Sequence, residues 1–227
     1  MPGGIGLHPL CFETEVVFSF SGVMCWADYH RGILLCDVAA DDPSLRFVRF
    51  PLAEFWDDFP DGRGLPEKYR KACMSRGRLW FIDVDNGRFR RARSSSDGAN
   101  GTVTTWTLPT PELDWTKEHT LRFSELWSHL KYQQSPLPRS MPGFPIVDMR
   151  QADVLHFIVE GAWEPEETHW TITVDMRNRC LASYEVYQNA IEVPEADSDV
   201  SNVFFNDPLI CCELGVSANA LDKPAAD

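Results

Sequence analysis

Three stretches of the chain carry one pattern, and that repetition limits the fold more than any other feature. They are GVMCWADYHRGILLCDV from Gly22, GRLWFIDVDNGRF from Gly77 and DVLHFIVEGAWE from Asp153. Each runs through two or more apolar residues to an aromatic, then to an acidic residue and a turn. Met24, Leu79 and Leu155 align, and so do Trp26, Phe81 and Phe157. Apolar residues at about every second position mark a half-buried strand, closed by turn chemistry. Asp85-Asn86-Gly87 is the clearest turn, because Asn-Gly supplies the positive φ angles of a tight hairpin. Arg31-Gly32 and Glu160-Gly161 are weaker versions, with Gly32 expected to take the strained backbone angle.

A returning strand follows each turn: ILLCDV, TVTTWTL and HWTITVDM. Trp106 and Trp170 occupy similar places in the last two. Another apolar strand comes next, as LRFVRFPL, TLRFSELW and CLASYEVY, and EVVFSFS precedes the first copy. The plan is a strand, a hairpin and another strand, repeated three times. A period of roughly 50 residues is what β-propeller blades give. The aligned aromatics lie 55 residues apart from Trp26 to Phe81 and 76 from Phe81 to Phe157, so loops absorb the excess. Eight Trp and 14 Phe point the same way, since aromatics suit a pleated, half-buried surface.

Between the strands, RRARSSSDGANG (Arg90 to Gly101) reads as a polar loop. Ser94, Ser95 and Ser96 follow basic residues there, as in a basophilic kinase site. YQQSPLPRSMPGFP (Tyr132 to Pro145) holds four Pro and reads as an ordered or extended connection. Ser124 is placed to cap a short helical turn through Leu130, with Leu126, Trp127 and Leu130 on one side. PEADSDVSN reads as a linker and VFFNDPLICCEL as a final strand pair. The expected organisation is a flexible N-terminus over 1–13, one β-repeat domain over 14–214 and a disordered tail over 215–227.

The net charge of −13 argues against nucleic acid and anionic membrane as partners, because phosphates attract Lys and Arg. Charge is polarised: Arg63 to Arg93 holds ten Lys/Arg against three Asp/Glu, and Asp153 to Asp227 holds three against fifteen. The seven Cys are odd in number and follow no disulfide spacing, and the N-terminus carries no basic region followed by an apolar run. No apolar run approaches the ~18 residues of a membrane span. A cytoplasmic or nuclear location is therefore expected.

CWADYHRGILLCDV gathers chemically capable residues, but at spacings that serve a turn better than a site. Zinc favours Cys-x₂₋₄-Cys or paired His. Cys25, His30 and Cys36 match neither, and both Cys sit among apolar strand residues. Tyr29, His30 and Arg31 are the expected turn. Asp28 and Asp83 recur at equivalent positions, as strand-end carboxylates that accept turn N–H groups would. No Gly-rich phosphate loop, HExxH or nucleophile elbow is present. No residue is assigned a catalytic, cofactor-binding or metal-binding role, and no cofactor is expected.

MCWADYHRGILLCDV with PSLRFVRFPLA, then CMSRGRLWFIDVD, TVTTWTL with LDWTKEHTLRFSELW, and GFPIVDM with VLHFIVEG resemble a plant domain-of-unknown-function family, the one numbered sixteen-eighteen and expanded in grasses. The resemblance runs from about Val16 to Val193 and extends, more distantly, to F-box-associated propeller regions. It implies no catalytic or binding residue. Members run longer upstream, so the chain resembles a C-terminal product with an unclosed ring.

The expectation is an all-β protein of repeated antiparallel sheets in a partial propeller arrangement. Its expected function is that of a non-catalytic protein-binding scaffold, a recognition-type module with a protein partner. The alternatives are a hydrolase-like enzyme with a pocket formed by loops of successive sheets, or a truncated product without independent function. Trp26, Phe81 and Phe157 are expected to be buried at equivalent places. Self-association or aggregation is expected through apolar surface near Phe18, Phe20 and the VFF…LICC segment.

Overall fold

Period-two segments become strands wherever a neighbour can satisfy their backbone groups, and here each pairs with the next in the chain. The structure, a computed structural model, describes residues 12–20, 22–51, 66–85, 101–109, 113–161 and 168–187. The first sheet holds β1 (Val16–Phe20), β2 (Val23–Asp28), β3 (Gly32–Cys36) and β4 (Leu45–Arg49). The second holds β5 (Arg70–Ser75), β6 (Arg78–Asp85), β7 (Thr102–Leu108) and β8 (Thr116–Arg122). The third holds β9 (Gly143–Val147), β10 (Val154–Glu160), β11 (His169–Asp175) and β12 (Cys180–Val186). All three are antiparallel meanders in chain order. Their first strands are neighbours, β5 lying beside both β1 and β9.

The second sheet sits between the other two. Nearly all of β6 is buried, and alternation divides its side chains between two cores. Leu79 and Phe81, with Ala72, Trp106 and Leu108, pack against Phe20, Cys25, Ala27, Ile33 and Leu35 of the first sheet. Trp80, Ile82 and Val84, with Val103 and Leu121, pack against Val147, Leu155, Phe157, Ile172 and Val174 of the third. A strand covered on both faces reads as a continuous apolar run, as Leu79 to Ile82 does before the buried Asp83.

Each core takes one aromatic from just beyond the fourth strand of the preceding sheet. Phe50 follows β4 and stacks on Phe81 at 4.0 Å and 6°. Phe123 follows β8 and meets Phe157 edge-on at 6.2 Å. The aligned aromatics are the fourth residues of β2, β6 and β10. Phe81 and Phe157 are 0% and 1% exposed. Trp26 is only half-buried, because its side of the first sheet faces away from the second. The expectation of burial therefore holds for two of the three. Trp106 lies opposite Phe81 whereas Trp170 lies opposite Val159, so the two Trp are offset by two residues.

Several local expectations need correction. Gly32 does not have a positive φ; Arg76 and Gly77 do, at 51° and 71°, in the two-residue turn between Ser75 and Arg78. Gly32 is required for close approach instead. A Cβ there would meet the Val48 carbonyl oxygen at 2.3 Å and the Phe47 ring at 2.8 Å. TLRFSELW is not all strand: β8 ends at Arg122 and α1 (Phe123–Ser128) follows. That helix has no side-chain cap, so Ser124 does not start it. Phe123 and Leu126, three apart, anchor it in the core. His129 is extended and breaks the chain before α2 (Leu130–Gln133), leaving Leu130 64% exposed. The Pro-rich connection is ordered, with the Tyr132 hydroxyl donating to the Pro138 carbonyl at 2.7 Å. Phe20 is buried between the first two sheets and Phe18 packs beside it, so neither forms an exposed apolar patch. The Asn86-Gly87 turn, the Ser94–Ser96 loop, the VFF…LICC pair and the tail lie outside the described residues.

Candidate functional site

The turn between β2 and β3 is held by carboxylates. Asp28 ends β2 and is fully buried. One of its oxygens accepts the His30 N–H at 2.9 Å; the other accepts the Glu13 N–H at 3.1 Å and lies 3.4 Å from Arg31 Nε. This is the strand-end capping expected of it. Asp83 acts differently. It lies within β6 and accepts from Arg70 Nε at 2.7 Å, while Arg70 also donates to the Tyr29 carbonyl at 2.8 Å. Arg70 and Asp83 are both buried, so the pair links the second sheet to the turn of the first. The Glu15 carboxylate accepts the Tyr29 N–H at 2.7 Å. Burial, aided by the nearby Asp28 and Glu13 and opposed by that hydrogen bond, pushes Glu15 up to about 8.

The same turn does not assemble a reactive centre from the Cys and His that drew notice. Cys25 points into the core shared with the second sheet, whereas Cys36, opposite Met24, points to the other face. They do not converge with His30. Burial pushes the Cys25 thiol up to about 12, away from the thiolate a nucleophile needs. Among the described residues, no three of His, Cys, Asp and Glu are grouped to hold a metal ion.

A hydrogen-bonded chain that sequence spacing did not reveal crosses the third sheet. His156 on β10 has Nε2 3.1 Å from Asp148 and Nδ1 3.1 Å from the Thr173 hydroxyl on β11. Asp148 also accepts the N–H groups of Arg150 and Gln151, at 2.7 and 2.8 Å. Its partial burial acts upward, but His156 and these two N–H groups hold its carboxyl below the usual range. An Asp–His–hydroxyl sequence resembles a nucleophile relay. Here it spans three adjacent parts of a sheet, with the Asp committed to a turn, and it acts as a lateral strap. Its members come from Asp148, from β10 and from β11, whose pairing is visible only in the fold.

The first and third sheets each have one face that points away from the second sheet. On the first sheet, register places Val17, Trp26, Leu34 and Phe47 side by side, with Met24, Cys36 and Leu45 in the adjoining row. Val17 is 48% exposed, Leu45 is 55% exposed, and Trp26, Leu34, Phe47 and Met24 are half-buried. On the third sheet the equivalent face is mixed: His156, Thr173 and Ser183 in one row, Ile158, Thr171 and Glu185 in the next.

The protein is thus an all-β chain of four-stranded antiparallel meanders. The family model described as protein of unknown function (DUF1618) matches residues 26–156, more than half of the 227 residues. The chain belongs to that family. The match starts at Trp26 in β2, spans the second sheet and ends at His156 in β10. No curated protein and no solved structure matches the chain. Among the described residues no helix is long and apolar enough to cross a membrane.

Proposed function

We propose that this chain is a non-catalytic protein-binding scaffold, a run of propeller-type blades that recognises a protein partner. The apolar face of the first sheet supports this reading. Its side chains are as large as those that fill the two inner cores, yet it faces away from both. Burying apolar area stabilises association by about 25 cal/mol per Å² before the costs of binding, so Trp26 with the exposed Val17 and Leu45 would anchor a partner. The test is affinity capture from extract of the source tissue, comparing the full chain with Trp26→Glu. The scaffold reading expects a defined set of proteins that Trp26→Glu loses and that Met149→Glu, at an exposed position in the β9–β10 turn, keeps. Capture unchanged by Trp26→Glu counts against the first-sheet face.

A further inference from the structure

Three carboxyl groups meet where the chain enters the first sheet. Glu13 and Glu15 stand just before β1, and Asp28 ends β2, the strand that β1 pairs with. Backbone and side chain together lay this entry segment on the β2–β3 turn. The Glu15 N–H donates to the Ala27 carbonyl at 3.0 Å, beside the Val16–Ala27 pair that opens β1. The Glu13 N–H donates to the Asp28 carboxylate at 3.1 Å. In return, the Tyr29 N–H donates to the Glu15 carboxyl at 2.7 Å. Segment and turn thus hold each other by three bonds, one of which runs through the carboxyl of Glu15.

The surroundings decide which form of that carboxyl fits. The titratable groups that face it are Glu13 on its own segment, Asp28 at the end of β2 and Tyr29 in the turn; Cys73 of β5 and Glu67 bear on Tyr29 in turn. The two arginines of this corner are directed at aspartates. Arg31 Nε lies 3.4 Å from Asp28, and Arg70 Nε donates to Asp83 at 2.7 Å. The charges that bear most on Glu15 are those of Asp28 and Glu13, and both disfavour a further negative charge beside them. Burial, opposed by the Tyr29 N–H and aided by these two carboxyls, holds Glu15 up at about 8 while the segment is docked. Swung out into water, the side chain returns to its ordinary 4.5. A protonated carboxyl still accepts the Tyr29 N–H through its carbonyl oxygen, so the neutral form keeps all three bonds.

We propose that the Glu13–Glu15 segment is a proton-operated clasp on the β2–β3 turn, closed while Glu15 carries its proton and opening in preference when Glu15 ionises. Opening breaks the bonds to Tyr29 and Asp28 and returns the Glu15 carboxylate to solvent. Between about 4.5 and about 8 the open segment gives up a proton that the closed one keeps. The open fraction therefore rises with pH by up to roughly tenfold per unit, and it levels off above about 8, where both forms are ionised. The clasp is independent of any partner on the first-sheet face.

Amide hydrogen exchange followed by NMR on the full chain, divided by the intrinsic rate at each pH, reads the open fraction at Tyr29 and Glu15. From about pH 5.5 to about 7.5, protection at both should fall by about tenfold or more, while the amides of β6 stay better protected throughout. Glu15→Gln keeps an acceptor for the Tyr29 N–H and does not ionise, so its protection should stay level over the same range. A smaller fall in the wild type overturns the inference. So does a fall that persists in Glu15→Gln, which would assign the titration to Asp28 or Glu13. Protection lost at Tyr29 and Glu15 only in step with β6 overturns it too, because the segment would then open only with the whole fold. If Glu15→Gln does not fold, the carboxyl carbon resonance of Glu15 in the wild-type chain takes its place: a titration midpoint well above 4.5 supports the clasp, and one near 4.5 overturns it.

Discussion

Replacing Phe81 with Ala tests the inner packing most directly. The ring is 0% exposed, stacked on Phe50 at 4.0 Å, with Trp106 and Trp115 centred 5.6 and 5.9 Å away. Three aromatic neighbours border the space it would leave. Each is held elsewhere: Trp106 by its strand, Phe50 by the bond to Arg31, Trp115 by its indole N–H on the Arg49 carbonyl at 2.9 Å. The cavity therefore stays open, and the expected cost is the ~3–5 kcal/mol of a buried Phe→Ala change. At about 2–4 °C per kcal/mol for a chain of this size, a 4 kcal/mol loss lowers Tm by roughly 8–16 °C. A cycle with Phe50→Ala isolates the stacked pair, whose coupling is expected at ~0.5–1.5 kcal/mol. Urea unfolding followed by tryptophan fluorescence measures both, since Trp106 and Trp115 report on this core. A single-variant cost below ~1 kcal/mol, or no coupling, would refute the account of how the first two sheets are joined.

Asp83→Ala leaves the Arg70 guanidinium buried without its carboxylate and should cost ~3–5 kcal/mol in urea unfolding, well beyond the ~0–1 kcal/mol expected for the exposed Glu125–Arg179 pair. Gly32→Ala should destabilise by ~1–3 kcal/mol because the new methyl group meets the Val48 carbonyl, which is backbone and cannot swing aside. Glu15 has its folded pKa raised, so the folded state holds the proton more tightly than the unfolded chain does; stability is full below about 4.5 and falls as pH rises toward about 8. Thermal unfolding in a pH series should show that decline in the wild type and a flatter profile in Glu15→Gln. Cys25 should resist alkylation in the folded chain at pH 8 while the half-buried Cys180 reacts, which peptide mapping after iodoacetamide would reveal.

The hairpin at the centre of each sheet could be read from the sequence, because its two strands carry apolar residues in alternation on at least one covered face. The first strands of the second and third sheets could not. In β5, Arg70 and Ser75 occupy buried positions, made tolerable by Asp83 and by the Asp148 carbonyl that Ser75 Oγ reaches at 3.1 Å. No local pattern announces partners so far along the chain. In β9, Gly143 and Pro145 look like strand breakers; Pro145 is accommodated because β9 is an edge strand with β10 on one side only. The helix after β8 was legible as an element but not in its bounds, since Phe123 belongs equally to an alternating strand and to a helical i, i+3 pair with Leu126. As for the candidate surface, Trp26 was legible as part of a repeat, yet only the register shows that its side of the first sheet faces away from the second. The His156 strap was invisible for the opposite reason, as three residues of unremarkable spacing become neighbours only through register.

Because the ring that seats each interface belongs to the sheet before it, neither border can form from one sheet alone. The chain then behaves as a row of units coupled to nearest neighbours, and stability is shared between them rather than owned by each. Among the described residues the middle unit has two such couplings and the outer units one each. Amide protons of β6 and β7 should therefore exchange only on global opening, while the first and third sheets can loosen separately. A partner that settled on Trp26 would add a coupling to the first sheet, and its effect would be read as slower exchange in β2 and β3.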